Sequence, residues 1–152
     1  MKGMTIIVKS VSEIVKGFII LFGIYIILQG HLSPGGGFAG GVIIAAAFVL
    51  ITLAFGEERE NKEFSKTGSL ILDELGIMLF LVIALIGYMI YGQPFFGNFI
   101  HKIYPGYSFH IISSGIILVC NIAIGIKVGA SLFKIFSALA SYDGTLEESD
   151  ES

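Results

Sequence analysis

Apolar residues in this chain come in four long blocks separated by short polar segments, rather than in the one-sided stripes of a soluble helix bundle. A bilayer core takes about 20 mostly apolar residues per crossing helix, with a working range of about 17–25. Four blocks reach that size. The pattern predicts spans at roughly Glu13–Leu28, Phe38–Phe55, Leu70–Tyr91 and Ile111 to about Ala130, the last with a frayed continuation to Ala140. Between the first two lies the polar, glycine-rich stretch "QGHLSPGGGFAGG", Gln29–Gly41. Pro34 breaks a helix and restricts Ser33, while the glycines permit tight turning and close backbone approach. The stretch therefore predicts a hairpin. Exposed backbone polar groups cannot sit in lipid, so it must reach water, lie against protein or line a cavity. The expected fold is an all-α membrane protein: four transmembrane helices with a Gly-rich hairpin between the first and second.

Composition agrees. Of 152 residues, 55% are hydrophobic and 14% charged, with a mean hydropathy of +0.88. A soluble domain carries about 25% charged residues. The expected organisation is one domain over residues 1–140, followed by an acidic tail at 141–152. That tail, "SYDGTLEESDES", has five acids and no bases, and its composition predicts disorder. No small-residue cleavage motif follows the first block, which reads as an uncleaved helix. Cys120 is the lone cysteine, so no intrachain disulfide can form, and it reads as an apolar filler.

Charge sets an orientation. Four spans place both termini and the loop between the second and third spans on one side. That side collects Lys2, Lys9, Lys16, Arg59, Lys62, Lys66, Lys127 and Lys134; the other has only Lys102. The excess of positive charge predicts cytoplasmic termini and an outward-facing hairpin in a multi-pass protein of the cell membrane. The loop "GQPFFGNFIHKIYPGYSFH" then lies at the outer interface, where Phe95, Phe96, Phe99, Tyr104, Tyr107 and Phe109 suit the headgroup level.

Small residues mark where helices approach. Gly36 and Gly40, and likewise Gly37 and Gly41, have the four-residue spacing of close helix contacts. Asp73, Gly76, Phe80, Ile83 and Gly87 share one face of the third span, a face expected to pack on a neighbour. Ser114, Asn121, Gly125 and Gly129 fall on a stripe of the fourth, roughly opposite Lys127, with Asn121 expected to hydrogen-bond across helices.

The hairpin "GHLSPGGGFAGG" resembles the signature of the MrpB (MnhB) family, small membrane components of multisubunit Na⁺/H⁺ antiporters. Related chains belong to the antiporter-like module of archaeal membrane-bound hydrogenase-type complexes. "LILDELGIMLFLVIALIG", Leu70–Gly87, resembles the third helix of the same family. The resemblance covers roughly residues 10–135 and departs at Glu74, where the family pattern implies an apolar residue. It implies a chain that completes a membrane assembly and flanks an ion path without being catalytic itself. Its partners would be other small and large membrane subunits, the lipid bilayer, and Na⁺ and H⁺ as the ions the complex transports.

Four side chains are candidates for the ion path. Asp73 and Glu74 are ionisable residues in a span, which is a functional signal. Yet Asp73 lies only about 5 Å along the predicted third span, where the helix dipole and a cap from Ser69 account for an acid equally well. His31 in the hairpin suits either a proton route, the work histidines do near neutral pH, or a turn hydrogen bond. Lys127, about 24 Å along the predicted fourth span, fits a snorkelling lysine at the inner boundary or a buried proton relay. His101 and His110 have no metal-ligand spacing, so no metal is expected. There is no nucleotide loop, redox motif or nucleophile–base pair; neither a cofactor, a nucleic-acid partner nor enzymatic activity is expected. A self-sufficient homo-oligomeric transporter and a purely structural membrane scaffold are the competing readings.

Overall fold

The computed structural model describes residues 4–32, 35–56, 66–90, 92, 94–98 and 115–140. Four helices account for most of them: α1 (Ile6–Leu28), α2 (Gly36–Phe55), α3 (Lys66–Met89) and α4 (Ile116–Ala140). All four are long and apolar enough to cross a membrane, and the described residues contain no strand. α1 starts a full two turns before the span read from the sequence, because Lys9, Ser10, Ser12 and Glu13 continue the helix despite their polarity. α4 likewise runs unbroken to Ala140. The acidic tail and most of the aromatic loop, including Phe99, His101, Tyr104, Tyr107, Phe109 and His110, lie outside the described residues.

The helix ends follow from local chemistry. α1 finishes at Leu28, where the N–H of Gln29 still reaches the Tyr25 carbonyl at 3.0 Å. Gly35, with φ 88°, adopts the left-handed conformation that turns the chain into α2. Gly56, with φ 81°, ends α2. The N–H of Met4 donates to the Ala54 carbonyl at 2.9 Å and ties the start of α1 to the end of α2. α4 opens on Gly115, φ 57°, and its first N–H, from Ile116, donates to the Asn98 side-chain oxygen at 3.4 Å. Such orphan donors at a helix start need an acceptor, more so near lipid than near water.

In space the order is α1, α2, α4, α3, so α2 and α4 are the inner pair. Residues of α2 meet residues of α4 in rising order, Gly37 by Asn121 and Gly41 by Gly125, so these two helices run parallel. Gly40 meets Gly23 and Gly36 meets Gly30, so α1 returns antiparallel on the other side of α2. α3 packs antiparallel on α4, with Gly76 against Lys127. The two glycine pairs foreseen in the hairpin thus serve two different neighbours. A Cβ on Gly40 would come within 2.7 Å of the Gly23 carbonyl oxygen, and one on Gly41 within 2.7 Å of the Gly125 carbonyl oxygen. Ile27 fills the hollow between them, its side chain against both Gly40 and Gly125. Phe48 of α2 meets Phe133 of α4 edge-on, ring centroids 5.9 Å apart, and α2 is apolar on all sides, as an inner helix must be.

Candidate functional site

The described polar groups converge most closely between α3 and α4. Asp73 is nearly enclosed, at 9% exposure, in a groove where Gly76 lets the α4 backbone close in: a Cβ there would lie 2.9 Å from the Lys127 nitrogen. Three side chains of α4 reach Asp73 from one stripe, at spacings of four and three residues. Ser131 donates to the carboxylate Oδ1 at 2.6 Å. Lys127 donates to the Ser131 hydroxyl oxygen at 2.8 Å and lies 3.2 Å from Oδ1. Lys134 stands 3.9 Å from Oδ2. The carboxylate side chain is 12% exposed, while the lysine side chains are 39% and 46% exposed, so the negative charge is inside and the positive charges open outward.

This geometry replaces two sequence-based accounts. α3 begins at Lys66, so Asp73 lies two turns in, beyond the reach of the first-turn dipole effect. Ser69 is a buried residue inside the helix and not its cap. Lys127 is the twelfth of 25 residues of α4, near its middle, and its ammonium turns to Asp73 instead of running to the headgroups alone. Glu74 does not join the cluster. One residue on from Asp73 and 100° further round the helix, it is exposed on the outer flank of α3.

His31 is at the other end of the bundle, in the turn after α1, and is half-buried. Its Nδ1 has no hydrogen-bond partner among the described residues, and the same holds for Asn121 Nδ2, which packs against Gly30. The Nδ2 of Asn121 therefore makes no cross-helix hydrogen bond among the described residues. Gly125 and Gly129 face α2; Ser114 lies outside the described residues. Gly87 meets the backbone of Gly97 in the following segment and not another helix. There, Phe96, φ 62°, sets its ring 5.1 Å from that of Phe80. Ser131, the approach of Lys134 to Asp73, and Asn98 were not foreseen from the sequence. The first two were within reach, since both residues stand one and two turns beyond Lys127. Asn98 was not, because its partner Ile116 is 18 residues away. Among the described residues no group of three or more His, Cys, Asp or Glu comes together to hold a metal ion.

A family model, described as a domain related to the MnhB subunit of Na⁺/H⁺ antiporters, matches residues 7–134. The chain belongs to this family. An uncharacterised protein of Methanocaldococcus jannaschii is 38% identical over 136 residues, which are 84% of this chain and 49% of that protein. A Staphylococcus aureus protein named as an antiporter subunit, mnhB2, is 35% identical over 99 residues, 65% of this chain and 69% of that one. A chain from the solved structure of the membrane-bound sulfane sulfur reductase, an archaeal respiratory membrane complex, superposes with a TM-score of 0.74. It is 30% identical, with 91% of this chain and 59% of that chain covered. The MnhB-type chain thus spans about half the length of the Methanocaldococcus relative. Family membership and the four long apolar helices make it a multi-pass membrane protein.

Proposed function

We propose that this MnhB-type chain is a non-catalytic membrane subunit of a multisubunit Na⁺/H⁺ antiporter module. The host is either a free exchanger or the ion-translocating arm of a membrane-bound respiratory complex. Both termini face the cytoplasm and the hairpin faces out, on the strength of the lysine and arginine distribution. The observation that carries the reading is the enclosed Asp73, held by Ser131 and two lysines within a bundle of this family. A charged carboxylate at such depth is costly in a bundle that merely fills space. The Lys127–Ser131–Asp73 chain has a hydroxyl between a cation and an anion, an order that relays a proton or responds to a cation passing nearby. It ends within this chain, however, and reaches His31 through no described polar group. A complete ion route therefore needs other subunits.

The test uses the intact complex in inverted vesicles. Asp73→Asn and Lys127→Met are expected to slow Na⁺-driven proton movement about tenfold, with the complex still assembled on native gels. Unchanged exchange in an assembled complex sinks the functional role and leaves a scaffold. The scaffold reading has one observation in its favour: Asp73 is already neutralised by its own lysines. Exchange by the purified chain alone in liposomes defeats the subunit reading outright.

A further inference from the structure

Glu74 belongs to no interaction among the described residues, yet it sits on a transmembrane helix about 6 Å past Leu70, the first residue of the apolar run. Its stripe on α3 is Leu70, Glu74, Ile77 and Leu81, and every member is exposed. Two shallow crevices between α3 and α4 show which way the stripe looks. One has Ile77 and Lys127 in its walls, the other Leu70 and Lys134. Glu74 lies between Leu70 and Ile77, so it opens on the same flank as both lysines. This flank sets an exposed acid and two half-exposed bases among apolar neighbours. A lysine stem is long enough to carry its charge to the headgroups, and a glutamate is much shorter. Lipid is a poor cover for it.

We propose that the Leu70–Leu81 stripe of α3 is a docking surface for a transmembrane helix of another subunit, one that carries a lysine or arginine at the level of Glu74. The inference rests on the multisubunit reading above and adds the face, the residue and the charge of the partner. Charge complementarity selects the occupant. Glu74 makes no ion pair among the described residues, whereas Asp73 beside it already holds two cations. A second copy of this chain, docked through the same flank, could offer Glu74 only another Glu74 or lysines already drawn to Asp73. A different chain with its own base answers the charge.

A photo-crosslinking benzophenone amino acid at Met78, one turn beyond Glu74 and 60% exposed, tests this in native membranes. The same probe at Phe18, on the outer face of α1, is the control. The Met78 probe is expected to capture a transmembrane segment of a different chain with a base within one turn of the crosslink. Glu74→Leu should reduce that adduct about fivefold or more, and Glu74→Asp should retain most of it. An unchanged Phe18 adduct profile in the Glu74→Leu variant shows that the bundle is intact. Exchanging the partner's base for glutamate together with Glu74→Lys should restore the crosslink. Adducts to lipid only, to a second copy, or to a segment without a base overturn the proposal, as does indifference to Glu74→Leu. A basic partner from outside any antiporter or respiratory assembly upholds the docking surface and defeats the function proposed above. Antiporter subunits that copurify but never crosslink from Met78 do the reverse.

Discussion

Lys127 and Lys134 approach the same carboxylate, but they are not equivalent. Lys127 sits 3.2 Å from Asp73 Oδ1 and also donates to Ser131, which bonds the same oxygen. Lys134 is 3.9 Å from the other oxygen and is the more exposed of the two. Hydrogen-bonded charges that are partly shielded are worth more than open ones, so Lys127→Met should cost about 1–3 kcal/mol of stability. Lys134→Met should cost less than about 1 kcal/mol. Asp73→Asn in the Lys127→Met background should recover part of the loss, because it removes a charge left with only the more distant Lys134. Thermal unfolding of the purified protein in detergent reads all three. Equal losses at the two lysines contradict this ordering.

At the scale of elements, α2 has no side chain to spare where it meets its neighbours. Gly40→Val would drive a branched side chain into Ile27 and the Gly23 backbone, and Gly41→Val would drive one into Gly125 and Val128 of α4. Overpacking of this kind costs about 1–3 kcal/mol, and in lipid no hydrophobic force between helices offsets it. Gly17 is the contrast: nothing lies within 4 Å of a Cβ built there, so Gly17→Ala should be neutral or slightly stabilising. Thermal midpoints and the detergent-resistant gel mobility of the three variants check this, and a Gly17→Ala loss as large as the others refutes it. The existence of these glycine contacts was legible in the sequence, because four-residue spacing puts small residues on one face. Their assignment was not. Gly36 and Gly40 serve α1 while Gly37 and Gly41 serve α4, and that division depends on which helices flank α2. Gly23, which receives Gly40, is an isolated glycine in an apolar run with no periodic signal of its own. Asp73 was visible as an acid in a span, but its pairing was hidden. The helix start, set at Lys66 instead of Leu70, decides whether Asp73 belongs to a helix end or to a helix face.

For the whole molecule, the two chemistries of the chain lie at different levels of the bundle, His31 in the hairpin turn and Asp73 facing the middle and far half of α4. The hairpin carries His31 and packs on Asn121 of α4 through Gly30 and Gly37, and the other half of the bundle holds Asp73 with its lysines. If the lysine distribution orients the chain as proposed, His31 lies toward the outer surface and the Asp73 cluster toward the cytoplasm. The single native cysteine makes this measurable. In a Cys120→Ser background, cysteine at Leu32, exposed in the hairpin turn, should react in intact cells with a maleimide that cannot cross the membrane. Cysteine at Met4, exposed ahead of α1, should react only after permeabilisation. The opposite pattern would invert the bundle, put the Asp73 cluster on the outer side, and remove the charge argument on which the orientation stands. A reversed bundle would still leave the two sites apart, because Asn121 and Ser131 are ten residues, about 15 Å, from each other along α4. In either orientation, then, His31 and the Asp73 cluster stand at different depths of the bundle.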